Sequence, residues 1–201
     1  MTVPPTLTHG VAMARGPDVL AEILDAPIHL ALWQTRRPPE LAWLDALDWD
    51  SLDDVAVAMD CDAPRDGWLE ALTEAGYPAG VRTAILAGEI AALAIRFAAI
   101  MACRQVRIRL EVVETDACRK FHADHVTARL LTTLHGQGTQ WIETICPDRI
   151  RQMEVGEVAI FKGRIWAEEP AVLHRSPPIG QTGETRLLLV IDPHPNDGGG
   201  A

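Results

Sequence analysis

The chain has 201 residues, 48% of them hydrophobic, and carries 18 basic against 28 acidic side chains for a net charge of −10. That length suits one domain, or one domain with an extension, and the composition excludes a disordered or fibrous chain. The acidic balance repels phosphate backbones and offers no basic stripe, which argues against nucleic acid as a partner.

Residues 1–17 hold Pro4, Pro5, Gly10, Gly16 and Pro17 with little periodicity, and read as a flexible lead-in. Their start, MTVPPTLTHG, lacks the basic and apolar regions of a secretory leader. Short helical patterns follow. VLAEIL spans 19–24, PPELAWLDALDW places prolines ahead of a helical face, and Ser51-Leu-Asp-Asp reads as an N-terminal cap with acid in the first turn. DGWLEALTEA, from Asp66 to Ala75, is amphipathic and closed by Gly76. Val81 to Cys103 predicts the longest helix, apolar on most of its circumference. Glu89 and Arg96 interrupt its apolar run, so it reads as a buried helix and not as a membrane span.

After Arg104 the period changes to two. In VRIRLEVVE, Val106, Ile108, Leu110 and Val112 alternate with Arg107, Arg109 and Glu111, which predicts a half-buried strand. Further strands are expected over Val126–Leu134, Gln140–Cys146, Glu157–Lys162 and Arg186–Asp192, the last (RLLLVID) buried on both faces. Turn-rich HGQGT, EVGE, EEP and SPPIGQTGE separate them. Residues 193–201 (PHPNDGGGA) read as a disordered tail. The expected division is a helical part over 18–103 that does not fold alone, followed by a β-barrel core over 104–192. Helices first and strands afterwards predict an α+β chain whose second half closes into a barrel or jelly roll against one long helix. The four cysteines (Cys61, Cys103, Cys118, Cys146) form no close pair, which disfavours a disulfide scaffold and favours a reducing cytoplasm.

The candidate chemistry starts in CRKFHADHVTARLLTTLHGQGTQW, residues 118–141. His122 and Asp124 are two apart, so in extended chain they face one point. His174 follows in AVLHRSPP, and Arg186 opens the last strand. Two histidines and a carboxylate make up a facial triad that leaves open positions on iron, and an arginine fork suits a carboxylate ligand. Each residue has a plainer reading: a hydrogen-bonded His-Asp turn, a structural His174, and an ion pair of Arg186 with Glu184 or Asp192. His125 fits a second layer around the site, a fourth ligand, or an exposed position. Cys118 fits either a Cys/His zinc site or a free thiol. Arg129 is an alternative carboxylate binder, and His135 is a turn residue. Gly136-x-Gly138 is no nucleotide loop, because the chain continues as strand and not as helix.

The order HxD, Gly-led strand VGEVAIFKG, His, proline turn, Arg resembles the double-stranded β-helix of the iron(II)/2-oxoglutarate-dependent dioxygenases. The resemblance implies N-terminal helices packed on a cupin-like jelly-roll barrel. It also implies Fe(II) on His122, Asp124 and His174 and 2-oxoglutarate on Arg186, with Trp141, Lys162 and Trp166 at the pocket mouth. CRKFHADHVTARLLTTLHGQGTQW, FKGRIW and LHRSPP together resemble, over Cys103 to Asp192, a bacterial family known only as a domain of unknown function and associated with metal-homeostasis genes. Two other functions share the barrel: a cupin-like zinc-binding protein of metal homeostasis, and a metal-free interaction module. The expected partner is an unidentified small-molecule or protein substrate, with no nucleic acid and no membrane. The expected setting is cytoplasmic, with the helical half as a cap or a homodimer surface.

Overall fold

The structure is a computed structural model and describes residues 6–8, 10–61, 66–116, 118–180 and 182–194. Its strands are β1 (Thr6–Thr8), β2 (Val11–Ala14), β3 (Leu30–Trp33), β4 (Val55–Asp60), β5 (Gln105–Val113), β6 (Ala128–His135), β7 (Gln140–Glu143), β8 (Arg151–Gln152), β9 (Val158–Lys162), β10 (Val172–Arg175) and β11 (Arg186–Pro193). Two α-helices, α1 (Asp66–Glu74) and α2 (Val81–Met101), join 3-10 segments at Pro17–Leu24, Pro39–Ala46 and Trp49–Ser51. The class is therefore mixed α+β. A large sheet runs β1-β2-β3-β9-β6-β11-β5-β4, and a small one runs β10-β7-β8. Among the described residues only the β2–β3 pair is parallel.

The alternation of each central strand decides which core its side chains join. In β11, Leu187, Leu189 and Ile191 pack with Leu86, Ile90 and Phe97 of α2. Leu188 and Val190 turn the other way and join Trp141 and Val172 of the small sheet. A strand covered on both faces can be apolar throughout, which explains the run RLLLVID. Its two polar members, Arg186 and Asp192, share the parity of Leu188 and Val190 and so lie on the small-sheet side. That parity positions the site.

Helix α2 buries Leu86, Ile90, Ala94 and Phe97, spaced for one helical face, and ends where Ala102 takes a left-handed conformation (φ 49°). Its length and hydropathy alone would suffice to cross a bilayer. In this fold it packs on β5 and β11.

Three expectations are corrected. Val11 and Ala12, inside the stretch expected to be a flexible lead-in, are fully buried in β2. The part expected to be helical, 18–103, also contributes β3 and β4, which pair with β9 and β5. LALW is a short apolar run without alternation, and such runs do not separate helix from strand. At the C-terminus, Pro193 closes β11 and the His194 amide donates to Gln105 O, while residues 195–201 of the expected tail lie outside the described residues.

Candidate metal centre

β10 lies between two partners. On one side it pairs with β7, His174 opposite Trp141. On the other, His122 forms an isolated antiparallel bridge to His174. The His122 amide donates to His174 O at 3.0 Å and the His174 amide to His122 O at 2.9 Å. Residues so paired carry their side chains on one face, with Cα atoms about 5.5 Å apart. The two imidazole centroids are 4.9 Å apart.

The segment after β5 that carries His122 and Asp124 is fastened along its length. Asp116 Oδ1 accepts the amides of Ile179 and Gly180, both at 2.8 Å. Cys118 O accepts the Ser176 amide at 2.9 Å. Beyond β9, the amides of Gly163, Arg164 and Ile165 donate to the carbonyls of Thr127, Asp124 and Val126 at 2.8, 2.8 and 3.1 Å. Gly163 permits this approach: a Cβ there would stand 2.0 Å from Val126 O.

One nitrogen of each histidine and one oxygen of Asp124 lie within 4.8 Å of one another. His122 Nδ1 is 2.8 Å from Lys120 O. A carbonyl only accepts, so Nδ1 carries the proton and Nε2 presents a lone pair to the cluster. Asp124 Oδ2 is buried and without a hydrogen bond. His174 Nε2 stands 3.1 Å from it, close but poorly directed. Neighbouring ligands of an octahedral ion stand about 3 Å apart, so this separation is that of a coordination edge.

Burial pushes the Asp124 carboxyl up. The imidazole of His174 and the charges of Arg129 and His122 outweigh it and hold Asp124 down to about 2. Burial lowers His174 against the pull of Asp124, which favours the neutral, ligating imidazole. An ionised carboxylate with an orphaned oxygen, facing two imidazoles, fits a divalent cation.

Arg129 Nη1 lies 2.5 Å from Asp124 Oδ1. Its Nε and Nη2 grip Asp192 at 2.7 and 2.8 Å. Arg186 is fully buried. It donates to Gln137 O at 2.5 Å, Ser176 Oγ at 2.8 Å, and the hydroxyls of Thr133 and Thr139, both at 3.3 Å. No acid among the described residues pairs with it, and burial pulls it down to about 10. A cavity of about 320 Å³ is lined by His122, Asp124, Arg129, His174, Thr139 and Ser176, among others. Arg186 therefore stands behind Ser176 and Thr139, whose hydroxyl protons are free to point elsewhere.

The structure thus brings together His122, Asp124, His174 and Arg129, with Arg186 one layer behind. The expected ion pairs of Arg186 are absent: Glu184 accepts from Gln137 Nε2, and Asp192 is held by Arg129. His125 is exposed. Trp141, Lys162 and Trp166 do not line the cavity. Trp141 is core beneath the Arg151 guanidinium. Lys162 has the parity of Ile160, on the helix side of β9, and donates to Asp25 O at 2.6 Å. Trp166 packs on the Lys162 ammonium. His135, expected in a turn, ends β6 and meets Asp45 Oδ1 at 2.7 Å. Ser176, Thr139 and the grip of Asp192 on Arg129 are not evident from residue type and spacing. Asp192 alone carried a signal: it shares one face of β11 with Arg186.

Residues 14–192 match a family described as "Protein of unknown function (DUF1826)", and the chain belongs to that family. The match extends well N-terminal of the Cys103–Asp192 stretch whose motifs resemble it. No curated protein matches the chain. Among solved structures it is similar to a Pseudomonas putida prolyl-4-hydroxylase (14% identity, 87% of this chain and 95% of that one, TM-score 0.47). It is also similar to a rice dioxygenase for auxin oxidation (13%, 89% and 63%, TM-score 0.42). A third likeness is to the hydroxypropylphosphonic acid epoxidase of S. wedmorenis (19%, 43% and 42%, TM-score 0.30). The chain spans less than half of the epoxidase, and likeness at these levels is too low to transfer an activity.

Proposed function

We propose that this member of the DUF1826 family is an iron(II)/2-oxoglutarate-dependent oxygenase, built as helices on a double-stranded β-helix and acting on a substrate yet to be identified. The observation that carries the reading is the buried, unbonded Asp124 Oδ2 facing two imidazoles. The 3.1 Å contact with His174 Nε2 is too poorly directed to satisfy that oxygen, and a buried carboxylate oxygen short of donors costs about 1–3 kcal/mol, which a bound cation would relieve.

In this reading His122, Asp124 and His174 would hold the iron, which with its keto-acid would supply the oxidising chemistry. Lys120 O fixes the His122 tautomer, and the backbone bridge fixes the spacing of the two rings. Ser176 and Thr139 offer hydroxyl protons to the distal carboxylate of 2-oxoglutarate, and Arg186 behind them supplies the compensating charge. An uncompensated buried guanidinium is costly, so an anion in front of it is favoured. Leu131, Leu188 and Val190 line the same cavity and keep water from the reacting centre.

The test is anaerobic addition of Fe(II) and then 2-oxoglutarate. A metal-to-ligand absorption band is expected in the wild type and none in Asp124→Ala. Absence of the band in a folded wild-type protein that binds Fe(II) sinks the oxygenase reading.

A further inference from the structure

Asp124 has two carboxylate oxygens, and the structure treats them differently. Oδ2 is buried, unbonded and 3.1 Å from His174 Nε2. Oδ1 is 3.8 Å from His122 Nε2 and 2.5 Å from Arg129 Nη1. The guanidinium holding Oδ1 has little freedom to leave. Its other edge is committed to both oxygens of Asp192, and these side chains are only 17% and 11% exposed. Asp192 is steadied in turn by Arg109 Nη2 at 3.4 Å, and Arg109 Nη1 is paired with Glu111. The chain Asp124–Arg129–Asp192–Arg109–Glu111 alternates in sign, and all of its members but Asp192 line the cavity.

We propose that Arg129, locked by Asp192, is a positioning residue that occupies Asp124 Oδ1 and so limits the carboxylate to one donor, Oδ2. The proposal rests on the ligand set given under Proposed function. A chelating carboxylate would fill a fourth coordination position. A single-oxygen carboxylate keeps three positions open, the number a keto-acid and oxygen require together. The planar fork explains why the residue is arginine. Two nitrogens on one edge grip Asp192 while the remaining terminal nitrogen reaches Asp124, and one ammonium cannot serve both carboxylates in that geometry.

The experiment titrates Co(II) into wild type, Arg129→Gln, Arg129→Lys, Asp192→Asn and Asp124→Ala, reading ligand-field absorption with circular dichroism as a check on folding. Arg129→Gln is expected to bind Co(II) with shifted bands, because Oδ1 as a second donor takes a coordination position that solvent holds in the wild type. Arg129→Lys and Asp192→Asn should move the bands in the same direction by less, and they carry the test if Arg129→Gln does not fold. Bands identical to wild type in all the folded variants, with binding abolished in Asp124→Ala, overturn this proposal and leave the ligand set standing. A wild-type protein that binds no Co(II), or an Asp124→Ala that binds it as wild type does, overturns the ligand set and this proposal with it.

Discussion

His122 and His174 exchange both backbone hydrogen bonds of an antiparallel pair, at 3.0 and 2.9 Å, although they belong to distant parts of the chain. The bridge makes the spacing of the imidazoles a property of the backbone. Each ring can then be removed without dispersing the other ligands. His122→Ala and His174→Ala should each lower Fe(II) or Co(II) affinity by about 100-fold or more, above the range of outer-layer losses. Their effects on the metal-free fold should differ. His174 is buried against the Phe161 ring, so its truncation should cost about 1–3 kcal/mol, whereas the half-exposed His122 should cost under about 0.5 kcal/mol. Calorimetric titration and urea denaturation measure the two quantities separately.

Gly163 tests the fastening of the ligand segment. Its missing Cβ would fall 2.0 Å from Val126 O and 2.7 Å from Val126 C, and both are backbone atoms that cannot swing aside. Gly163→Ala should therefore push residues 124–127 away from β9, costing about 1–3 kcal/mol as overpacking. Metal affinity should fall as well, because the Asp124 carbonyl is bonded at the next residue, Arg164. A substitution that lowers the denaturation midpoint and leaves metal affinity unchanged would show that Asp124 is held by its side-chain partners alone.

Much of this site was legible in the sequence, for a specific reason. Strand parity is local, so RLLLVID and VRIRLEVVE reveal their buried faces from spacing alone. HxD with a later His and Arg can be picked out by residue type. The role of Arg129 could not be. Its register shows only that it opposes Ala128 and Leu130, while its partners Asp124 and Asp192 come from a loop and from another strand. Trp141, Lys162 and Trp166 show the converse. They lie near the site in sequence, yet do not line the cavity. Trp141 shares the face of His174 but is taken up by the core beneath Arg151, while strand parity and the Asp25 carbonyl turn Lys162 away from the cavity and Trp166 stacks on its ammonium. LALW escaped because a short run buried on both faces has no alternation to read.

Arg186 predicts a linkage between anion binding and stability. It is a fully buried cation with neutral partners, so an anion placed before Ser176 and Thr139 relieves an existing cost. Saturating 2-oxoglutarate, at about 100 times its Kd, should stabilise the metal-loaded wild type by about 2.7 kcal/mol. Arg186→Met should lose that increment. A thermal shift of equal size in Arg186→Met would mean that the keto-acid finds its countercharge elsewhere.

Glu157 gives a pH dependence remote from the metal ligands. It is 7% exposed, and its Oε2 accepts the Glu154 amide at 2.9 Å. Burial, with the charge of Glu154, holds its carboxyl above the ordinary 4.5 despite that hydrogen bond. The unfolded chain therefore ionises this group first, and between the two values the folded state binds more protons. Stability falls as pH rises through that window and stays lower above it. Glu157→Gln keeps an acceptor for the Glu154 amide and removes the charge. It should be more stable than wild type at about pH 7.5, and the gain should vanish near pH 4. Urea denaturation at the two pH values checks the sign; a gain that is the same at both would assign the effect to packing.

Cys118 separates a catalytic site from a closed zinc site. It lines the cavity with His122, but it is exposed and does not belong to the His122–Asp124–His174 cluster. A structural zinc needs a fourth protein ligand to close its shell, whereas an oxygen-activating iron needs open positions. If the site is open, Cys118→Ser should leave metal stoichiometry and affinity unchanged, and the bound metal should remain accessible to small chelators. His125→Ala, at the other nearby ligating side chain, should behave the same way. A loss of tightly held zinc in either variant would identify a fourth ligand that moves in on metal binding, and would turn the reading toward metal storage and away from oxygen chemistry.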